Sequence, residues 1–179
     1  FSTTFMNAKG FKVEFLVPNR GSEDHMGKPT PMPTLGGVAA QPLRFLDFLI
    51  KNPVRSVLLH GGGVAVTVAA PERYALHKMI VSTRRRDEAK ATKDLGQAAF
   101  LIEAMTPLHA AELVDVWVEA WDRGAKWRTC LLRAKSRLPV EIRQRIDSAI
   151  VSCCADFDRT PTSLGVAPLD PASPADLAS

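Results

Sequence analysis

The sequence predicts an α+β protein, with a β-rich first third followed by a bundle of helices. Three observations carry this reading. Residues 11–18 (FKVEFLVP) and 56–70 (SVLLHGGGVAVTVAA) are rich in β-branched and aromatic side chains and are bounded by proline or glycine. From residue 71 onward, apolar positions recur at helical spacing in five successive segments. The switch falls at Pro71-Glu72, where a proline suits the first helical position and an acid suits the helix N-terminus. The chain thus divides into a β-rich part (1–70), a helical part (71–157) and a tail (158–179) whose Pro, Ala and Ser content predicts disorder.

Each element follows from local chemistry. In 11–18, Val13, Phe15 and Val17 share one face of a strand and Lys12, Glu14 and Leu16 the other. Residues 19–37 are dense in Gly, Pro and polar side chains and read as a long loop. Residues 42–50 (PLRFLDFLI) are apolar around Asp47 and fit a short strand or a short helix. Residues 56–70 read as a hairpin turning at Gly61, Gly62 and Gly63. Helices are predicted over 71–86, 89–106, 107–124, 125–138 and 139–155, with Pro107 and Pro139 opening the third and fifth and Gly124 closing the third. The sequence shows no internal repeat.

Composition narrows the function classes. Of 179 residues, 46% are hydrophobic and 23% charged, which excludes a wholly disordered chain. A net charge of +4 permits an anionic partner without requiring one. Cys130, Cys153 and Cys154 are too few for a disulfide framework, and the adjacent pair suits reduced thiols in a cytosol. No apolar run reaches the roughly 18 residues of a membrane span. The first residues lack a basic segment followed by an apolar one, so no signal peptide is expected. The chain opens on Phe1 instead of an initiator methionine, so it is expected to be cut from something longer.

Two features could carry chemistry. Glu14 sits mid-strand among apolar neighbours, a position poor for β propensity and costly to bury unless the carboxylate is paired or bound to a metal. The strand alone favours a solvent-facing edge residue, or a partner for Lys12 or a helix lysine, since period-2 alternation exposes every second side chain. The second feature is the basic stretch 71–102 (PERYALHKMIVSTRRRDEAKATKDLGQAAFLI). Lys78, Ser82 and Arg85 share a face of the first helix, while Leu76, Met79, Ile80 and Thr83 form its packing face. Lys90, Lys93, Asp94 and Gln97 share a face of the second, with Leu95, Ala98, Ala99 and Ile102 packing. The plain account is a solvated surface: Lys90 and Asp94 as an i,i+4 pair, and Arg84, Arg85 and Arg86 favoured by the dipole at a helix end.

Other motifs fail. His60-Gly61-Gly62-Gly63 is like an oxyanion loop, but the chain has no G-x-S-x-G elbow. His25, His60, His77 and His109 fall at no metal-ligand spacing. Cys153 and Cys154 fit a helix core. Trp117, Trp121 and Trp127 lack a basic sheet around them and read as packing residues.

The order of these features resembles a bacterial family with the nucleotidyltransferase fold, within the DNA polymerase β-like superfamily and akin to the nucleotidyltransferase-like toxins of abortive-infection systems. The resemblance rests on residues 41–81, and on a late motif of Lys78, Arg84 to Arg86, Lys90 and Lys93-Asp94-Leu95. It spans roughly residues 10–130. It implies an incomplete nucleotidyltransferase-type sheet followed by a helical bundle. It also implies transfer of a nucleoside monophosphate from a nucleoside triphosphate to a protein, RNA or small-molecule acceptor, with Mg²⁺. In this superfamily two carboxylates follow a Gly-Ser turn and a third comes from a neighbouring strand. Glu14 matches the third, as metal ligand and helper in deprotonating the acceptor hydroxyl. Lys78, Arg85, Lys90, Lys93 and Asp94 would handle the nucleotide phosphates.

The first two carboxylates are not found. Gly21-Ser22-Glu23-Asp24 follows Glu14 instead of preceding it and reads as coincidence. The missing turn is expected upstream, and these 179 residues are expected to bind triphosphates without transferring from them. The competing reading is a non-catalytic basic module that contacts nucleic acid or an acidic protein. The short connection after the first helix predicts Lys78 and Lys93-Asp94 on neighbouring antiparallel helices, with polar faces toward the sheet end that carries Glu14.

Overall fold

A computed structural model describes residues 2–19 and 27–167 of the chain. As the sequence predicts, small sheets come first and helices follow. The chain divides into two compact units, Phe1–Ala70 and Pro71–Ser179.

In the first unit, β1 (Thr4–Met6) pairs antiparallel with β2 (Lys12–Glu14), opposing Thr4 to Glu14. The turn between them is held by the Asn7 side chain, which accepts from the amides of Lys9 and Phe11. The predicted strand 11–18 is in fact two strands. β3 (Leu16–Pro18) belongs to a second sheet, running parallel to β5 (Val38–Leu43). Phe15 is the hinge: its amide donates to Thr3 O on one side, and its carbonyl accepts from Gln41 N on the other. A strand that changes partner must break where the change occurs, and local composition does not encode the partner.

The predicted loop 19–37 also needs correction. Thr30–Met32 forms β4, antiparallel to β5, in a sheet ordered β3-β5-β4. Pro31 is tolerated because β4 is an edge strand. Pro42 lies in the central strand, beyond Ala40, the last residue of β5 that pairs with β4. There its missing N–H removes no ladder bond, since β5 meets β3 through Gln41 N and Leu43 O. The ambiguous run 42–50 is both things in turn: the end of β5, then a single helical turn, α1 (Leu46–Leu49). Val38, Ala39, Ala40, Phe45, Leu46 and Phe48 are the buried core of this unit. The predicted hairpin is present as β6 (Val54–Leu58) and β7 (Val64–Val68), in register from Val54↔Val68 to Leu58↔Val64. Gly61 and Gly63 hold positive φ in its turn, the conformation the glycines supply.

The second unit is helical: α2 (Pro71–Ser82), α3 (Glu88–Met105), α4 (Ala110–Asp122), α5 (Ala125–Arg137) and α6 (Val140–Cys153). The first of these stops four residues short of the predicted 86. Ser82 Oγ and Thr83 Oγ1 donate back to the carbonyls of Met79 and Ile80, and the chain tightens into an i→i−3 turn at Thr83 and Arg84. Arg84 to Arg86 therefore lie in a connection and not at a helix end. Asp87 then starts α3, accepting from the amides of Ala89 and Lys90. The Lys90 amide, against the opposing effect of burial and helped by the Ala89 amide and the Lys90 charge, lowers the Asp87 pKa. Pro107 does not open α4, which begins at Ala110 after His109 N has closed the α3 end on Met105 O.

Trp117 and Trp121 stack at 6.3 Å in the core of this unit, among Leu113, Val114, Leu131, Ile146 and Ile150. The predicted disordered tail is corrected over its first part. Residues 162–164 form a short 3₁₀ turn, Leu164 is fully buried, and its carbonyl accepts from Trp117 Nε1 at 3.2 Å. A buried indole N–H needs an acceptor, and this strap supplies it. Residues 168–179 lie outside the described residues. Gly165 closes the strap at φ +83°, where an added Cβ would stand 2.6 Å from Trp121 and 2.8 Å from Leu132.

Gly165→Ala should therefore destabilise the protein by about 2–4 kcal/mol, combining a left-handed backbone with an overfilled core. Urea denaturation of the variant checks this; a loss near zero would mean that the strap is free to leave Trp121.

Candidate functional site

The five-residue connection folds α2 back beside α3, and one carboxylate joins them. Asp94 Oδ1 accepts from Lys78 Nζ at 2.7 Å, and Asp94 Oδ2 accepts from Arg85 Nε at 2.8 Å. The Asp94 side chain is 5% exposed, against 18% for Lys78 and 43% for Arg85. Burial opposes ionisation here, but the hydrogen bonds and charges of Lys78 and Arg85 prevail and hold the Asp94 pKa below the ordinary carboxylate range. The cluster is thus an ionised triad with two cations on one anion.

Of the residues singled out from sequence, the structure brings Lys78, Arg85 and Asp94 together. The expected Lys90–Asp94 surface pair is not formed. Lys90 lies 3.6 Å from Asp87, and Asp94 turns across to the neighbouring helix. The fold of α2 against α3 brings Asp94 two cations at once, Lys78 and Arg85, and a sheltered carboxylate with two hydrogen-bonded cations gains more than one exposed i,i+4 pair. Lys93 is exposed on α3 next to the triad in sequence. Ser82, expected on the Lys78 face, is buried and bonded to Met79 O.

Sequence reasoning missed Tyr74. Its ring lies 5.2 Å from Lys78 Nζ, in a cation–π contact. The available signal was the i,i+4 spacing of an aromatic and a lysine on one helix. A buried arginine on α2 was also missed: Arg73 donates to Glu119 of α4 at 2.7 Å, and Glu119 also takes Arg123 at 3.3 Å. This network ties α2 to α4.

Glu14 lies in the first unit, at the end of β2, with its side chain 48% exposed and one oxygen 2.5 Å from Lys12 Nζ. Among the described residues no group of three or more His, Cys, Asp or Glu could hold a metal ion. Residues 20–26, which include Glu23 and Asp24, lie outside the described residues. A cleft of about 560 Å³ near Thr106, Glu141, Arg145 and Ser152 contains none of the candidate site residues Glu14, Lys78, Arg85, Lys90, Lys93 and Asp94. Among the described residues no helix is long and apolar enough to cross a membrane.

A family model described as Nucleotidyltransferase matches residues 1–122, which span the whole first unit and α2 to α4. No curated protein and no solved structure matches the chain.

Asp94→Asn should cost roughly 1.5–3 kcal/mol at neutral pH, the range for a hydrogen bond to a charged group. Because the folded pKa is lowered, the carboxylate's contribution is present above its unfolded pKa of about 4 and is lost as pH falls through the folded value. The Tm gap between wild type and Asp94→Asn should thus close on acidification below about pH 4. A gap that stays constant from neutral pH to about pH 2 would mean that the ion triad contributes nothing to stability.

Proposed function

We propose a function from one premise: this chain belongs to the nucleotidyltransferase family. The protein transfers a nucleoside monophosphate from a nucleoside triphosphate to a protein, RNA or small-molecule acceptor. In that reaction the acceptor oxygen bonds to the α-phosphorus, the bond from the α-phosphorus to the bridging oxygen breaks, and pyrophosphate leaves. Phosphoryl chemistry of this kind depends on positioning and on neutralising phosphate charge more than on covalent catalysis.

The observation that carries the reading is the convergence of Lys78 and Arg85 on Asp94 within the matched residues. Two ordered cations, Lys78 on α2 and Arg85 in the connection to α3, supply charge for a triphosphate. Lys90 and Lys93, exposed along α3, extend the same positive field. Glu14 is the candidate carboxylate of the acceptor side, where it would take the hydroxyl proton.

Mg²⁺ is the metal that the family resemblance implies. The described residues do not by themselves fit it. Glu14 offers at most two oxygens, one of them already beside Lys12, and Mg²⁺ demands an octahedral set of hard ligands. Transfer in this reading draws on carboxylates beyond Glu14.

The test is incubation with ATP, CTP, GTP and UTP labelled at the α-phosphate, with Mg²⁺ and a mixed pool of acceptors. It is run on this chain and on the longest reading frame that contains it. Labelled acceptor should appear with the longer protein and drop about 100-fold or more in Glu14→Gln, the usual scale for loss of a general base. Activity that survives Glu14→Ala would remove Glu14 from the site. Triphosphate binding with no transfer by either protein would favour the competing reading of a non-catalytic basic module.

A further inference from the structure

We propose that Asp94 and Tyr74 are positioning residues of a polyphosphate site, holding Lys78 and Arg85 in one arrangement so that their remaining N–H groups meet two neighbouring phosphoryl groups. This rests on the nucleotidyl-transfer reading above and deepens it, since it says which residues order the two cations before the polyphosphate arrives.

Three features of the geometry carry the proposal. Arg85 reaches Asp94 through Nε alone, and among the described residues its two terminal nitrogens have no partner. The outer fork of the guanidinium, the edge suited to bidentate phosphate binding, is left for a second anion. Lys78 gives one N–H to Asp94 Oδ1 and has the Tyr74 ring on another side, 5.2 Å from the ring centre, which leaves donor capacity to spare. Both cations grip the two oxygens of one carboxylate, so the two groups are held side by side. Two like charges at that spacing would otherwise separate.

The roles follow from this arrangement. A carboxylate does not bind phosphate; Asp94 acts by ordering the groups that do. Lysine and arginine side chains carry large rotamer freedom, and fixing them before the ligand arrives removes that cost from binding. Tyr74 does the same for Lys78 through its ring face and not its hydroxyl. A pair of adjacent cations matches a di- or triphosphate better than a single phosphate.

Charge alone and positioning predict opposite signs for one substitution. Asp94→Asn adds one unit of positive charge beside the site, so electrostatics alone predicts tighter anion binding. Positioning predicts weaker binding. The experiment is calorimetric titration of the full chain with inorganic triphosphate and with inorganic phosphate at fixed ionic strength. It compares wild type, Asp94→Asn, Tyr74→Phe and Tyr74→Leu. Wild type should bind triphosphate far more tightly than phosphate. Asp94→Asn should weaken triphosphate binding about tenfold, as for one lost charge-assisted hydrogen bond. Tyr74→Leu should weaken it about threefold, while Tyr74→Phe, which keeps the ring, stays near wild type.

Unchanged or tighter binding by both Asp94→Asn and Tyr74→Leu overturns the assignment and leaves the nucleotide reading standing. A wild type that binds no triphosphate overturns both. If Asp94→Asn does not fold, the tyrosine pair decides: equal affinities for Tyr74→Leu and Tyr74→Phe overturn the proposal.

Discussion

A single sheltered carboxylate, Asp94, fixes how the basic part of this protein is arranged. It sits 5% exposed between α2 and α3 and takes one hydrogen bond from each of two cations. Removing such a group from water is costly, and only the two partners make it tolerable. The same pairing decides which cations are ordered. Lys78 and Arg85 are tied to Asp94, whereas Lys90 and Lys93 are not.

The remainder of the second unit is built to hold these helices steady. Arg73 and Glu119 join α2 to α4 on another face, and the Trp117–Trp121 stack fills the core beneath α4. The strap around Leu164 then caps the stack by satisfying the Trp117 indole. A site made of long, flexible side chains gains precision from a rigid scaffold. The core here is aromatic and aliphatic, and the ionic contacts lie toward its rim.

The candidate site was legible in parts. Lys78, Arg85 and Asp94 stood out by helical spacing and by resemblance, and they meet in the structure. Their relation was misread: an i,i+4 pair between Lys90 and Asp94 is what one helix alone suggests, and Asp94 instead crosses to its neighbour. Tyr74 escaped notice because an aromatic on a helix face usually packs. Glu14 stands out in the sequence for its awkward place in a strand. The structure puts it beside Lys12 on a short two-stranded ribbon, a sequence neighbour two positions away on the same face.

What the sequence by itself determined is whatever depends on near neighbours. The α+β class, the hairpin around Gly61 to Gly63 and the start of the helical region at Pro71 follow from side-chain period, proline and glycine geometry. What only the tertiary structure decided is every feature in which distant residues choose one another. The strand through Phe15 breaks because its two ends find different partners, β1 and β5. Thr30–Met32 becomes a strand because β5 has a free edge beside it. The strap docks because Trp117, 47 residues earlier, needs an acceptor at Leu164. Asp94 takes Lys78, 16 residues away, over Lys90, four residues away, because packing α2 on α3 creates shelter that a lone helix cannot offer. Local propensity carries no information about such partners; the free energy that selects them appears only when the chain has folded and excluded water between them.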